Sequence, residues 1–404
     1  MMKIKAVLEN LYDEMVEVRR HLHMNPELSF EEVETPKFIA EYHRNLGHEV
    51  REQVGGRGVV AILNGAKPGK TVGLRADFDA LPIQEQNDVD YKSKVDGVMH
   101  ACGHDGHTAT LLGVAKALNS IKDELEGRVV FIHQHAEEMQ PGGAIAMIED
   151  GCLEGVDVIY GTHLWATEKL GEILYKEGPL TAAADRFELV IQGKGGHGAQ
   201  PHLTKDSIVI ASQVVVNLQQ LVSRRVDPLD QAVVSIGSFD ATNAFNVIAD
   251  KVVLKGTVRT FKKEVQQMIK EELERIIKGT CLAADADYTL NYVDGYPATI
   301  NHAKETLQLA NVATQVEEAT TIREYKEQMG GEDFSYYLEH VPGTFFFTGA
   351  MVEDEANAYP HHHPKFNFDE RAMLIAAKTL ALVTLDFLEG NKTSTREEIA
   401  QGNS

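Results

Sequence analysis

The chain of 404 residues is short of several things, and each shortage narrows what it can be. No stretch approaches the ~20 apolar residues that span a bilayer. The opening segment, MMKIKAVLENLYDEM, lacks the apolar core of a secretory leader. A soluble, cytoplasmic protein is expected. Cysteines number three, Cys102, Cys152 and Cys281, an odd count at wide spacing; this is a poor disulfide framework and suits a reducing compartment. A cysteine with a special role should then be a ligand or a nucleophile. Basic charge is also scarce: 39 Lys and Arg against 61 Asp and Glu leave a formal charge of −22, spread along the chain. Nucleic acid and anionic membrane are therefore not expected partners, since both need basic patches. A small-molecule enzyme fits the balance better.

A chain of this length exceeds the usual domain of ~100 to 200 residues, so two domains are expected. Ile4, Leu8, Leu11, Met15, Val18 and Leu22 recur at steps of four and three, which places one apolar stripe on an opening helix. From there to about residue 180, strand-like runs alternate with helical ones: Val59 to Leu63, Thr71 to Arg75, the helix Ala109 to Asn119, Arg128 to His133, and Val156 to Thr162. Such alternation predicts an α/β domain with a mostly parallel sheet, helices on both faces, and ligand sites beyond the carboxyl ends of the strands. After Gly178 and Pro179 the order changes to strand, helix, strand, strand, helix, strand, ending near Asp294. That βαββαβ order predicts an inserted ferredoxin-like α+β domain over 181–296. The strand Thr344 to Thr348 and the helix Glu370 to Leu388 return to the first domain, which is expected over 1–180 and 297–392. Residues 393–404 have no apolar pattern and read as a frayed tail.

The densest chemical signal is HACGHDGHT, His100 to Thr108. In an extended loop, residues two apart point the same way, so Cys102 and His104 can face one metal site while Gly103 lets the backbone bend closely. A thiolate and an imidazole at that spacing suit a metal. One C-x-H alone is frequent by chance, but the other candidates lie just after expected strands of the same domain. His133-Gln134-His135-Ala136-Glu137-Glu138 follows one, His163 another, and RADFDALP, Arg75 to Pro82, a third. Two adjacent carboxylates at a strand end can divide the labour of hydrolysis, one binding metal and the other moving a proton. His361-His362-His363-Pro364 could reach the same site or form a surface cluster. A metal-free reading, with Cys102 as a nucleophile activated by His104, stays open on the residues alone.

At this point the chain resembles the M20 metallopeptidase family, and within it the aminoacylase-like amidohydrolases that include hippurate, auxin-conjugate and N-acetyl-diaminopimelate hydrolases. The resemblance runs in order from RRHLHMNPELSFEEVET through RADFDALP, HACGHDGHT, HAEE, GTHLW, GKGGHGAQPH, FNVIADKV, GTVRTF and GGEDFSYYL to HHHPKF. It implies two divalent metal ions per subunit; the mixed thiolate, imidazole and carboxylate donors suit zinc or manganese, with cobalt or nickel as alternatives. In that scheme Cys102 bridges, His104 and His163 complete one site, and Glu138 and His362 complete the other. The family's His-x-Pro pattern selects His362 and leaves His363 in the variable position. Glu137 resembles the general base, and Asp77 a residue that orients a ligand imidazole by hydrogen bonding. In the inserted domain, His197 resembles the family histidine that steadies an oxyanion or a substrate carboxylate, often from the partner subunit; local hydrogen bonding is the competing role. Asn246 and Arg259 resemble residues that grip the substrate carboxylate, though Arg259 could equally be a structural ion pair. Ala249 stands in FNVIADKV where many relatives have proline.

The implied reaction is hydrolysis of an N-acyl amino acid to a carboxylic acid and a free amino acid, by a homodimer joined through the inserted domain. A dipeptidase of the same fold and a catalytically silent metal- or metabolite-binding homologue are the alternatives.

Overall fold

The computed structural model describes residues 2–390, and the expected tail at 393–404 lies outside the described residues. The described chain forms two compact units. One takes the chain up to Leu180, then Thr299–Lys326 and the part from Asp333; the other takes Thr181–Ala298 and Glu327–Glu332.

In the first unit, the described residues include an eight-stranded sheet. Its order is Glu49–Val54, Gly58–Asn64, Glu126–Gln134, Lys67–Asp77, Val158–Trp165, Gly343–Gly349, Glu172–Tyr175 and Thr321–Glu324. The central strands Glu126–Gln134, Lys67–Asp77, Val158–Trp165 and Gly343–Gly349 pair in parallel. Antiparallel pairs occur at Glu49–Val54 with Gly58–Asn64, at the latter with Glu126–Gln134, and where Gly343–Gly349 meets Glu172–Tyr175. Central parallel strands are covered on both faces. Val72, Leu74, Val129, Phe131, Val158 and Tyr160 therefore bury into one apolar layer with the helices His104–Asn119 and Arg371–Leu388. Their neighbours Val130, Ile132 and Ile159 bury into another with Phe334 and Tyr337. The opening stripe is carried by two helices, Met2–Asn10 and Tyr12–Met24, broken at Leu11.

The second unit has the expected βαββαβ order. Strands Ala183–Gln192, Ala232–Asp240, Lys251–Thr260 and Asp287–Tyr296 form an antiparallel sheet, and helices Ser207–Leu218 and Lys263–Ala283 complete the unit. Asp206 starts the first helix by accepting hydrogen bonds from the N–H groups of Ile208 and Val209, at 3.0 and 3.3 Å. Such a cap satisfies donors that a helix start otherwise leaves open.

Two differences from the sequence reading matter for chemistry. The helix expected from Ala109 starts at His104, so HDGHT is its first turn and not an extended loop. His163 lies inside the strand Val158–Trp165, which keeps its parallel pairing with Gly343–Gly349 as far as Trp165.

Candidate metal centre

Cys102 and His104 come together by a turn, not by alternation along a strand. Gly103 caps the helix with φ +97°, in the left-handed region that costs a residue with a Cβ roughly 1–2 kcal/mol. Around this turn, ligand atoms of Cys102, His104 and Glu138 lie within 4.8 Å of one another, as do those of Cys102, His163 and His361. Cys102 is common to both groups. Its Sγ is 3.3 Å from His163 Nε2, and Glu138 Oε1 is 3.9 Å from His104 Nε2 and 3.1 Å from His362 Nε2. The geometry thus sets His104 beside Glu138 as well as beside Cys102, where the resemblance grouped it with His163.

The imidazoles have divided their nitrogens. His163 Nδ1 donates to Leu164 O at 2.9 Å, which leaves Nε2 facing Cys102. His104 Nδ1 faces Asp79 O at 3.0 Å and Asp79 Oδ1 at 3.1 Å, while its buried Nε2 has no hydrogen-bond partner among the described residues. A buried polar atom left so costs about 1–3 kcal/mol unless something binds it. Within the histidine triple, His361 spends both nitrogens on backbone, Nδ1 on Cys102 O and Nε2 on the Ala166 N–H. His363 accepts the Lys365 N–H and stacks on Tyr359. His362 alone of the three aims a ring nitrogen at Glu138, and its backbone is held at φ +65° by a 2.8 Å hydrogen bond from its N–H to Ala101 O.

Asp77 sits elsewhere than expected. As the last residue of its strand it accepts from His107 Nδ1 at 2.6 Å and from Arg75 Nη1 at 2.6 Å, while His104 Nδ1 is 3.9 Å away. His107 uses its other nitrogen to accept the Leu164 N–H. The carboxylate that orients His104 is Asp79, two residues on, past the strand end. It also accepts the Glu138 N–H at 3.0 Å. Asp79, His107 and His361 were not singled out from the sequence, although all lie inside the quoted motifs. A linear motif does not show which of its polar residues spends its atoms on backbone.

Charge also asks for a cation here. Burial, followed by Glu138 and Glu137, pushes the Cys102 thiol well above its ordinary range. Burial opposes a charge on His104, but Asp77, Asp79 and Glu138 outweigh it and raise that imidazole to about 10. Several carboxylates and a thiol thus converge where a positive charge stabilises all of them. A thiolate, imidazole and carboxylate set of this kind fits zinc and other divalent transition metals.

Glu137 precedes Glu138, and its Oε2 is 3.9 Å from His104 Nε2. The pair follows Ala136, a non-glycine residue at φ +52°. Strained backbone of this kind costs on the order of 1–3 kcal/mol and persists only where the surroundings hold it.

In the second unit, His197 pairs with Val247 in a short antiparallel ladder, and the Gly198 N–H donates to Asn246 O at 2.8 Å, so these two sequence candidates are neighbours. His197 Nδ1 accepts the Ala199 N–H at 3.1 Å. Arg259 lies on the strand Lys251–Thr260 between Ala184 and Val233, and its Nη1 donates to Val258 O and to the Thr257 hydroxyl. Burial lowers its pKa against the opposing pull of Asp185.

Residues 73–386 match the peptidase family M20/M25/M40. A Bacillus subtilis relative whose name places it among the amidohydrolases is 57% identical over 379 residues, 94% of this chain and 96% of its own. The N-acyl-L-amino acid amidohydrolase of Geobacillus stearothermophilus is 47% identical over 300 residues, 74% of this chain and 81% of its own. Among solved structures, a Bacillus subtilis dinuclear metal binding peptidase of the M20 family superposes with a TM-score of 0.81 at 37% identity, covering 94% of this chain and 99% of that one.

Proposed function

The chain belongs to peptidase family M20/M25/M40 and is a metal-dependent amidohydrolase; on that premise we propose that it hydrolyses N-acyl amino acids at a centre holding two divalent cations. The observation that carries this reading is the placement of Glu137, a carboxylate beside an imidazole whose buried Nε2 has no hydrogen-bond partner among the described residues and next to a second carboxylate that faces His362. The name of the Geobacillus relative supports the substrate class.

In this reading Cys102 is shared, and His104, Glu138, His163 and His362 complete the two sites; zinc or manganese suits the donor set, with cobalt or nickel as alternatives. Bound there, the cations supply positive charge that polarises the scissile carbonyl and makes a water acidic near neutrality. Glu137 takes the proton from the attacking water and delivers it to the departing nitrogen. Asp79 holds His104 in the tautomer that presents Nε2, and the Leu164 carbonyl does the same for His163. His197 steadies the oxyanion or the substrate carboxylate, from its own or a partner subunit, and Asn246 and Arg259 hold that carboxylate. The same reading includes a cytoplasmic homodimer joined through an inserted lid and dimerisation domain over 181–296, with 1–180 and 297–392 as the catalytic domain.

The test is a panel of N-acetyl, N-benzoyl and indole-acyl amino acids, with dipeptides alongside, assayed with each metal added back. Release of free amino acid from the acylated compounds is expected. Turnover of dipeptides alone would move the assignment to a dipeptidase, and no turnover with any metal would remove it.

A further inference from the structure

The turn that carries Glu137 and Glu138 is clamped by a segment far away in sequence. Glu32 Oε1 accepts the Ala136 N–H at 2.9 Å, and the Glu32 side chain is fully buried. The Phe30 ring meets the His135 ring edge-on at 5.9 Å, and Phe30 is itself left-handed at φ +65°. Ser29 Oγ donates at 2.6 Å to Asp79 Oδ2, the same oxygen that accepts the Glu138 N–H. The segment is tied alongside Asp79 by a 2.8 Å hydrogen bond from the Ala80 N–H to Glu27 O and by the bridge between Leu28 and Ala80.

From these contacts we infer that Glu32 is a positioning residue for the reaction, holding the left-handed turn at Ala136 so that Glu137 faces the substrate water and Glu138 faces the metal. The inference rests on the proposed hydrolase reading. The work is done by one acceptor atom. Burial raises the Glu32 carboxyl to about 8, so a neutral amide of the same shape can replace it. Arg57 Nε, the cation in ion-pair range, stays 3.9 Å from Oε2, and that oxygen has no hydrogen-bond partner among the described residues. The hydrogen bond to Ala136 is thus the side chain's one polar engagement with the turn. Ala136 would not choose φ +52° unaided.

The experiment compares Glu32→Gln, which keeps the acceptor, with Glu32→Met, which keeps the length and removes it. Glu32→Ala replaces the methionine variant if that one does not fold. Two readouts are taken: kcat and KM for the N-acyl amino acid turned over fastest, and the visible absorption of the Co(II)-loaded proteins, which reports the ligand field that includes Glu138. A small misplacement of a catalytic group lowers turnover by about tenfold to a hundredfold. Glu32→Met should show a loss of that size in kcat with KM little changed, together with an altered cobalt spectrum, while Glu32→Gln stays close to the wild type in both. A purely structural role would lower unfolding temperature and leave both readouts of the folded protein intact. Unchanged kcat and spectrum in Glu32→Met, or equal damage in Glu32→Gln, would overturn the inference. If the wild type hydrolyses nothing in the panel, the proposed activity fails, and the spectrum by itself decides the role of Glu32.

Discussion

A file of buried histidines away from the metal centre makes the stability of the first unit sensitive to acid. His43 Nδ1 faces His48 Nδ1 at 2.9 Å, and His43 Nε2 faces His133 Nε2 at 2.9 Å; His43 and His133 are both fully buried. Phe131 lies parallel to the His48 ring, and no carboxylate stands among the causes that shift these three groups. Burial pushes His133 down to about 3 and His48, with Lys122 adding to the effect against Asn119, to about 4; His43 is also well below its ordinary value. Because the folded values lie below the ordinary 6.5, the unfolded chain takes up these protons first. The associated stability is present above that pH and is lost as the pH falls from there toward the folded values. A pH of about 5 is roughly 1.5 units below the unfolded value and still above the folded one, and at 1.36 kcal/mol per unit the loss is about 2 kcal/mol from His133. His133→Gln keeps a polar partner for His43 and cannot titrate. Urea unfolding of the metal-loaded proteins at about pH 7.5 and about pH 5 gives the comparison, since ligand histidines titrate alike in both and cancel. Trp165 is the single tryptophan and lies in the first unit, so its fluorescence follows that unit. The wild type should lose about 2 kcal/mol more than the variant between the two conditions. Losses equal within about 0.5 kcal/mol, the usual scatter of independent effects, would refute the reasoning.

Purified protein should carry about two divalent ions per chain and lose activity with chelator, as a charge-stabilising role for them requires; full activity in a metal-free sample would return Cys102 to the role of nucleophile. Glu137→Gln should bind metal as the wild type does and lose nearly all turnover, and normal turnover would take Glu137 out of proton transfer. Asp79→Ala leaves the Asp79 carbonyl beside His104 Nδ1 but removes the carboxylate that faces it and accepts the Glu138 N–H, and metal affinity measured by competition with a chromophoric chelator should fall about tenfold to a hundredfold. His197→Ala should leave metal content unchanged and lower kcat about a hundredfold, the scale of losing one oxyanion donor; unchanged turnover would leave His197 with only its local bond to Ala199.

Much of this protein was open to a reading of the sequence, because the relevant signals are local or periodic. Alternating strands and helices announce the sheet of the first unit, since a buried parallel strand must be apolar on both faces. The βαββαβ order announces the second unit, whose amphipathic helices must bury one side. Cys102, His104, Glu137, Glu138 and His163 stood out as residue types that bind metal or move protons, in short motifs close to strand ends. Only the tertiary structure decided how each polar atom is used, because a hydrogen bond joins residues that the chain separates widely. Asp79 and not Asp77 hydrogen-bonds His104; His361 is committed to backbone and His362 is not. The turn at Ala136 is held by Glu32, 104 positions earlier. Residue type and spacing set the chemistry that was available, and long-range packing determined which atoms were left to perform it.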